Sequence, residues 1–261
     1  MTSRIPNTNT NTMANFKEIL ENEYIGWSAS VWAIGTMMLV YVSGVALLTR
    51  WMGNRRPIDV RRVSTIHNLC LAIFSMGLCV VSLSVGYRDG LFASHDALHC
   101  RPAISGEMVA IVYCFYVSKY WEYVDTILLI VTKKRVTWLQ YLHHLSTASI
   151  VATVWYAQAP SYFFIPLIDN LVVHSIMYLY FALPRTLGWA RRLITATQIF
   201  QFVHVLGYIL YHATLYITGN PCGDSPEIIG YNIAWYLVYL VLFMNFYVEQ
   251  FLRASRRKID Q

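Results

Sequence analysis

The stretch Lys119-Tyr-Trp-Glu-Tyr-Val-Asp-Thr126 places three charges inside an otherwise apolar and aromatic run from Val109 to Val131. Lys119, Glu122 and Asp125 recur at i, i+3 and i+6, so on a helix they share one face. In a bilayer each would cost roughly 2.5–3.5 kcal/mol near the centre on insertion scales. A chain holds such charges where that face looks into a polar interior built with other helices. The segment therefore demands helical partners, and its cluster is a candidate functional site.

The rest of the sequence supplies those partners. Of 261 residues, 56% are hydrophobic and 13% charged, against about 25% charged in an ordinary soluble domain. This argues for an all-α polytopic membrane protein. Seven apolar stretches are long enough to cross as helices, at about 29–49, 64–86, 108–131, 137–157, 162–183, 193–217 and 229–251. Prolines 57, 160, 184 and 221 fall between them. Residues 1–28, opened by a polar Asn/Thr-rich stretch, read as a disordered lumenal tail, 29–251 as the membrane domain, and 252–261 as a basic cytosolic tail.

Basic residues set the direction. Arg50, Arg55, Arg56, Arg61 and Arg62, then Lys133, Lys134 and Arg135, then Arg185, Arg191 and Arg192, and finally Arg253, Arg256, Arg257 and Lys258 all fall on one side. Those are fifteen of the 20 basic residues. That side is cytosolic by the positive-inside rule, which leaves the N-terminus lumenal. The net charge of +6 thus reports topology and gives no sign of nucleic-acid binding. Cys100 falls in the loop between the second and third spans and Cys222 in that between the sixth and seventh, both on the lumenal side, where oxidation favours a disulfide. Such a bond would make the second and seventh spans neighbours.

Further polar residues recur inside the spans. The fourth opens with Gln140-Tyr-Leu-His143-His144, whose three polar side chains can share a face. In the fifth, Asn170, His174, Met177 and Tyr178 lie on one face, and Asn170 is placed to orient the His174 ring. In the sixth, Thr195, Gln198 and Gln201 recur at threefold spacing.

With these motifs in order, the chain resembles the very-long-chain fatty acid elongases. The matching residues are Asn54-Arg-Arg-Pro57, His67-Asn68, Lys119-x-x-Glu122-x-x-Asp125-Thr126, His143-His144, Asn170-x-x-x-His174-x-x-Met177-Tyr178-x-Tyr180, Thr195-x-x-Gln198-x-x-Gln201 and Asn245-Phe-Tyr247. One departure is visible: the family's usual box is His-x-x-His-His, and Gln140 stands at its first position. That form is similar to elongases of algae and protists acting on polyunsaturated chains.

The resemblance implies seven spans, with spans two to seven in a ring around an intramembrane site and span one outside it. It implies a 3-oxoacyl-CoA synthase of the endoplasmic reticulum that condenses acyl-CoA with malonyl-CoA and needs no cofactor or metal. His143 would be the nucleophile, His174 an assisting group, and His144 and Gln140 orienting residues. Glu122 and Asp125 would fix histidine tautomers, with Lys119 neutralising them. Asn170, Met177, Tyr178, Gln198 and Gln201 would contact substrate, and Lys133, Lys134, Arg135, Arg191, Arg192 and Arg256 the CoA phosphates. Implied partners are membrane lipid, the ketoreductase, dehydratase and enoyl reductase of the elongation cycle, and a second copy in a homodimer. Two other readings are a membrane di-iron desaturase or hydroxylase, drawing on His95-Asp-Ala-Leu-His99, and a seven-span receptor or transporter.

Overall fold

The computed structural model describes residues 13–15, 23–101, 103–156, 160–219 and 225–253. In chain order these form strand β1 (Met13–Asn15), helices α1 (Glu23–Ser28), α2 (Val31–Met52), α3 (Arg61–Arg88) and α4 (His95–His99), and strand β2 (Ala103–Ser105). Helices α5 (Gly106–Trp121), α6 (Tyr123–Val131), α7 (Trp138–Ala152), α8 (Phe164–Ala182), α9 (Arg191–Ile217) and α10 (Pro226–Tyr247) follow. A π-helical turn, Val248–Arg253, continues α10.

Helix starts are written in short polar residues. The side chains of Ser30, Ser105, Thr137 and Ser225 each accept a hydrogen bond from the backbone N–H three residues on, with Pro226 in the first turn of α10. Asp59 bonds both the backbone and the side chain of Arg61 at the start of α3, and those bonds hold its carboxyl down at about 2.

Five helical stretches among the described residues are long and apolar enough to cross a membrane: 31–52, 61–88, 161–182, 188–217 and 226–252. The chain is a polytopic membrane protein. The third and fourth expected spans are not among these five. The run from 108 to 131 is divided between α5 and α6 at Glu122, and the 16 residues of α5 reach roughly 24 Å, short of the hydrocarbon core. Helix α7 has 15 residues before it tightens into a 3-10 turn at Thr153–Tyr156. The segment expected to be a disordered tail also differs. Met13–Asn15 pairs antiparallel with Ala103–Ser105, which gives its backbone a partner the side chains do not announce. Glu23–Ser28 is helical, and residues 1–12 lie outside the described ones.

Packing runs from α3 to α8, α8 to α9, α9 to α10, α10 to α7, α7 to α5, and α5 back to α3. At Gly86 of α3 the packing leaves no room for a side chain, since a Cβ there would lie 2.7 Å from Phe164 Cζ. Helix α2 packs on α6 and α7; only 6% of its apolar window is buried, against 50% for the segment containing α8. The expected neighbourhood of spans two and seven is not the main contact, since α3 packs chiefly on α8 and α10 on α9. The apolar core sits between α5, α7 and α8, around Phe115, Trp155, Leu167 and Leu171.

Cys70, Cys79 and Cys114 are free and Cys100 is disulfide-bonded. Cys222, its expected partner, lies outside the described residues.

Candidate active site

The polar face of α5 and α6 is largely buried, and its charges meet partners on α3 and α8. Lys119 and Glu122 are each 2% exposed. Lys119 Nζ donates to Glu122 Oε1 at 2.7 Å and to Asn170 Oδ1 of α8 at 3.1 Å, and sits 4.2 Å from the Phe115 ring centroid. Glu122 Oε1 also lies 3.3 Å from His174 Nδ1. The cost of burying an ammonium–carboxylate pair is offset by further hydrogen bonds. Asn170 and His174 supply these, so Asn170 serves Lys119 and Glu122 Oε1 holds the His174 ring, while Glu122 Oε2 is buried with no hydrogen-bond partner among the described residues. The expected Asn170–His174 contact is replaced because the lysine, with three donors and one carboxylate, takes the amide oxygen.

Asp125 anchors a second group. His67 Nε2 of α3 is 2.8 Å from Asp125 Oδ1, and the Tyr178 hydroxyl of α8 donates to Asp125 Oδ2 at 2.7 Å. His144 Nε2 approaches the same oxygen at 4.0 Å. His67 belongs to this network although it was read only as a motif residue; a histidine beside Asn68 inside an apolar span was the signal.

The adjacent histidines part company. His144 is 5% exposed and turns toward Asp125, with Nδ1 unpartnered among the described residues. His143 faces the other way, its ring 5.1 Å from that of Tyr239 on α10. It lines a cavity of about 40 Å³ with Phe115, Lys119, Thr147, Asn170, Gln201 and Tyr239. Helix α7 is held in this rotation by the 2.6 Å bond between Ser146 and the Tyr239 hydroxyl. An imidazole and an ammonium thus line one small cavity. That pairing suits nucleophilic attack with stabilisation of negative charge. Tyr239 and Thr147 were not picked out from sequence, because aromatic and hydroxyl residues are common in every span.

The remaining candidates are arranged less tightly. Gln140 is half-buried in the first turn of α7, and its amide makes no hydrogen bond to His143 or His144 among the described residues. Gln198 Nε2 contacts Met177 Sδ at 3.2 Å. Lys133 Nζ donates to the Gly53 carbonyl, which ties the loop after α2 to the end of α6; Lys134 and Arg135 are exposed. Arg191 donates to Gln250 and Arg192 to the Tyr247 hydroxyl, both at the chain's basic end. Arg256 lies outside the described residues. His95 and His99 join a separate group, where His99 meets Tyr208 and His212 and His95 meets Tyr211. Burial pushes the His99 imidazole below its ordinary value.

The chain matches the model of the ELO (GNS1/SUR4) family over residues 27–259. It is 30% identical to long chain fatty acid elongase 1 of Caenorhabditis elegans, over 80% of this chain and 76% of that one. It is 28% identical to fatty acid elongase sre1 of Dictyostelium discoideum, over 84% of each. Very long chain fatty acid elongase 2 of Rattus norvegicus is 26% identical, over 85% of this chain and 81% of its own.

Proposed function

The chain belongs to the ELO (GNS1/SUR4) family of fatty acid elongases, and from that premise we propose that it is the condensing enzyme of elongation, joining acyl-CoA to malonyl-CoA. The reaction is a decarboxylative Claisen condensation giving 3-oxoacyl-CoA, CO2 and CoA. The observation that supports it best is the cavity where His143 meets Lys119, Asn170 and Gln201.

A ring nitrogen of His143 attacks the acyl thioester carbon, and CoA leaves as the thiolate. The acyl-imidazolium, whose second ring nitrogen keeps its proton, holds the acyl group until malonyl-CoA enters and loses CO2. The resulting carbanion attacks the acyl carbon and expels the imidazole. His174, held by Glu122, assists by proton transfer or by binding the thioester oxygen. Lys119 offsets the carboxylates so that Glu122 and Asp125 fix the histidines without charging the chamber. Soluble condensing enzymes place a cysteine here. Cys114 does not serve, since it lies on the exposed side of α5, opposite the buried Lys119 face. No metal or organic cofactor enters the scheme.

The same reading takes α5 with α6, and α7 with its 3-10 turn, as crossing the membrane beside the five long stretches. Seven spans result, with six in a ring and α2 outside; the chain of pairwise contacts from α3 round to α5 supports this order. The protein resides in the endoplasmic reticulum, with its N-terminus lumenal. Lys134, Arg135, Arg191, Arg192 and Arg256 meet the CoA phosphates at the cytosolic mouth. The acyl substrate is long and, given Gln140, polyunsaturated.

The test is incubation of purified protein with radiolabelled malonyl-CoA and a panel of acyl-CoAs. A 3-oxoacyl-CoA two carbons longer, formed equally with a chelator present, is expected. No incorporation with any acyl-CoA would refute the reading, and loss to the chelator with recovery on adding iron or zinc would refute the metal-free scheme.

Gln140 does not titrate and makes no bond to the histidines, so its contribution is to shape and orientation. Gln140→His is expected to keep activity within about tenfold, as the family's usual box has histidine there. Complete loss would contradict the orienting role.

The disulfide is expected to join Cys100 to Cys222 and close a loop of about 120 residues, worth roughly 4–5 kcal/mol in the chain-entropy model. Non-reducing peptide mapping should recover that linkage. Its absence would remove the support for placing both loops in the lumen.

A further inference from the structure

Thr147 is an exception on its helix. The other hydroxyl residues around it turn back onto the backbone: Ser146 onto Leu142 O at 2.6 Å, Ser149 onto Ser146 O at 2.7 Å and Thr153 onto Ile150 O at 2.7 Å. That is the ordinary fate of a Ser or Thr inside a helix. Thr147 is 8% exposed, yet its Oγ1 is buried with no hydrogen-bond partner among the described residues. It lines the cavity that His143 lines, one turn further along α7, roughly 5–6 Å away between Cβ atoms.

A buried hydroxyl without a partner costs about 1–3 kcal/mol. The cost is recovered when a ligand oxygen arrives. Of the donors already in the chamber, Lys119 meets Glu122 and Asn170, and the Tyr239 hydroxyl meets Ser146; the Thr147 hydroxyl is buried there with no partner among the described residues. An acyl thioester presented to His143 brings one strong acceptor into this space, its carbonyl oxygen.

We infer that Thr147 Oγ1 donates a hydrogen bond to the thioester carbonyl oxygen as His143 attacks. The inference rests on the condensing-enzyme reading and adds to it the oxyanion donor. As the imidazole nitrogen adds to the carbonyl carbon, the C=O pair moves onto oxygen. Thr147 donates to that oxygen and keeps its own proton. The tetrahedral adduct then collapses, re-forming C=O and expelling the CoA thiolate. Donors matter most where charge develops and water is excluded.

The test compares Thr147→Val and Thr147→Ser, by the rate of CoA release from acyl-CoA alone and by kcat and KM in full turnover. Valine keeps the shape and removes the donor; it should slow acylation about 100-fold, mainly in kcat. Serine keeps the donor and should stay within about fivefold. Thermal denaturation in detergent supplies the control. Removing an unpaired buried hydroxyl should leave the midpoint equal or raised, whereas a hydroxyl that holds the fold together would lower it. Wild-type rates in Thr147→Val overturn the inference, as does a valine variant that loses rate and stability together or fails to fold. Absence of turnover in the wild-type protein overturns the condensing-enzyme reading, and this inference with it.

Discussion

Replacing His143 with alanine is expected to abolish condensation, with kcat falling by at least about 10³-fold while the protein folds normally. The expectation rests on direction as much as residue type. His143 is the histidine that opens into the chamber with Lys119 and Asn170, and its ring packs against Tyr239 without being part of the buried ion-pair network. Its loss therefore removes the proposed nucleophile without stranding a charge. His144→Ala should give a smaller loss in kcat and a lower thermal midpoint, because His144 is buried beside Asp125. The check is steady-state turnover with malonyl-CoA, alongside denaturation in detergent, for both variants. A His143→Ala enzyme with kcat above a tenth of wild type would sink the assignment, and the reverse order of effects would move the nucleophile to His144.

The second large effect is on stability. Glu122→Ala leaves Lys119 buried at 2% exposure without its carboxylate, and His174 without the group that holds its ring. Breaking a buried pair from one side costs about 3–5 kcal/mol, which for a chain of this size is a drop of roughly 10 °C in the midpoint. The double variant Lys119→Met/Glu122→Leu should recover much of that drop, because neither partner is left charged, while remaining inactive. Asp59→Asn, which breaks the solvent-exposed Arg61–Asp59 pair, should leave the midpoint unchanged. The decisive comparison is between the single and double variants. If the double variant is no more stable than Glu122→Ala, the cost lies in packing and not in an unpaired charge.

The sequence made parts of this arrangement legible because they are local. Lys119, Glu122 and Asp125 are three residues apart, so helical periodicity alone puts them on one buried face. The same periodicity could not reveal that the helix is divided at Glu122: no proline or glycine interrupts the run from Val109 to Val131, and the division sits where the polar face meets partners on α3 and α8. Nor could it separate His143 from His144. Neighbouring residues on a helix point about 100° apart, and which one faces inward depends on the rotation of α7, set by the distant Ser146–Tyr239 bond. Lys119 and Asn170 are 51 residues apart, so their bond exists only once α5 and α8 are assembled. The pairing of Met13–Asn15 with Ala103–Ser105 was hidden for another reason, since three residues, Met-Ala-Asn, are too short to carry an alternating apolar pattern.

The central claim is that a histidine carries the acyl group. The most direct measurement is mass spectrometry of the protein after incubation with acyl-CoA alone, without malonyl-CoA. The account predicts a burst of about one equivalent of CoA, with the acyl mass on the peptide containing His143 and His144 and lost in His143→Ala. Acyl mass on Cys114, or full turnover with no acyl-enzyme at any time, would contradict it.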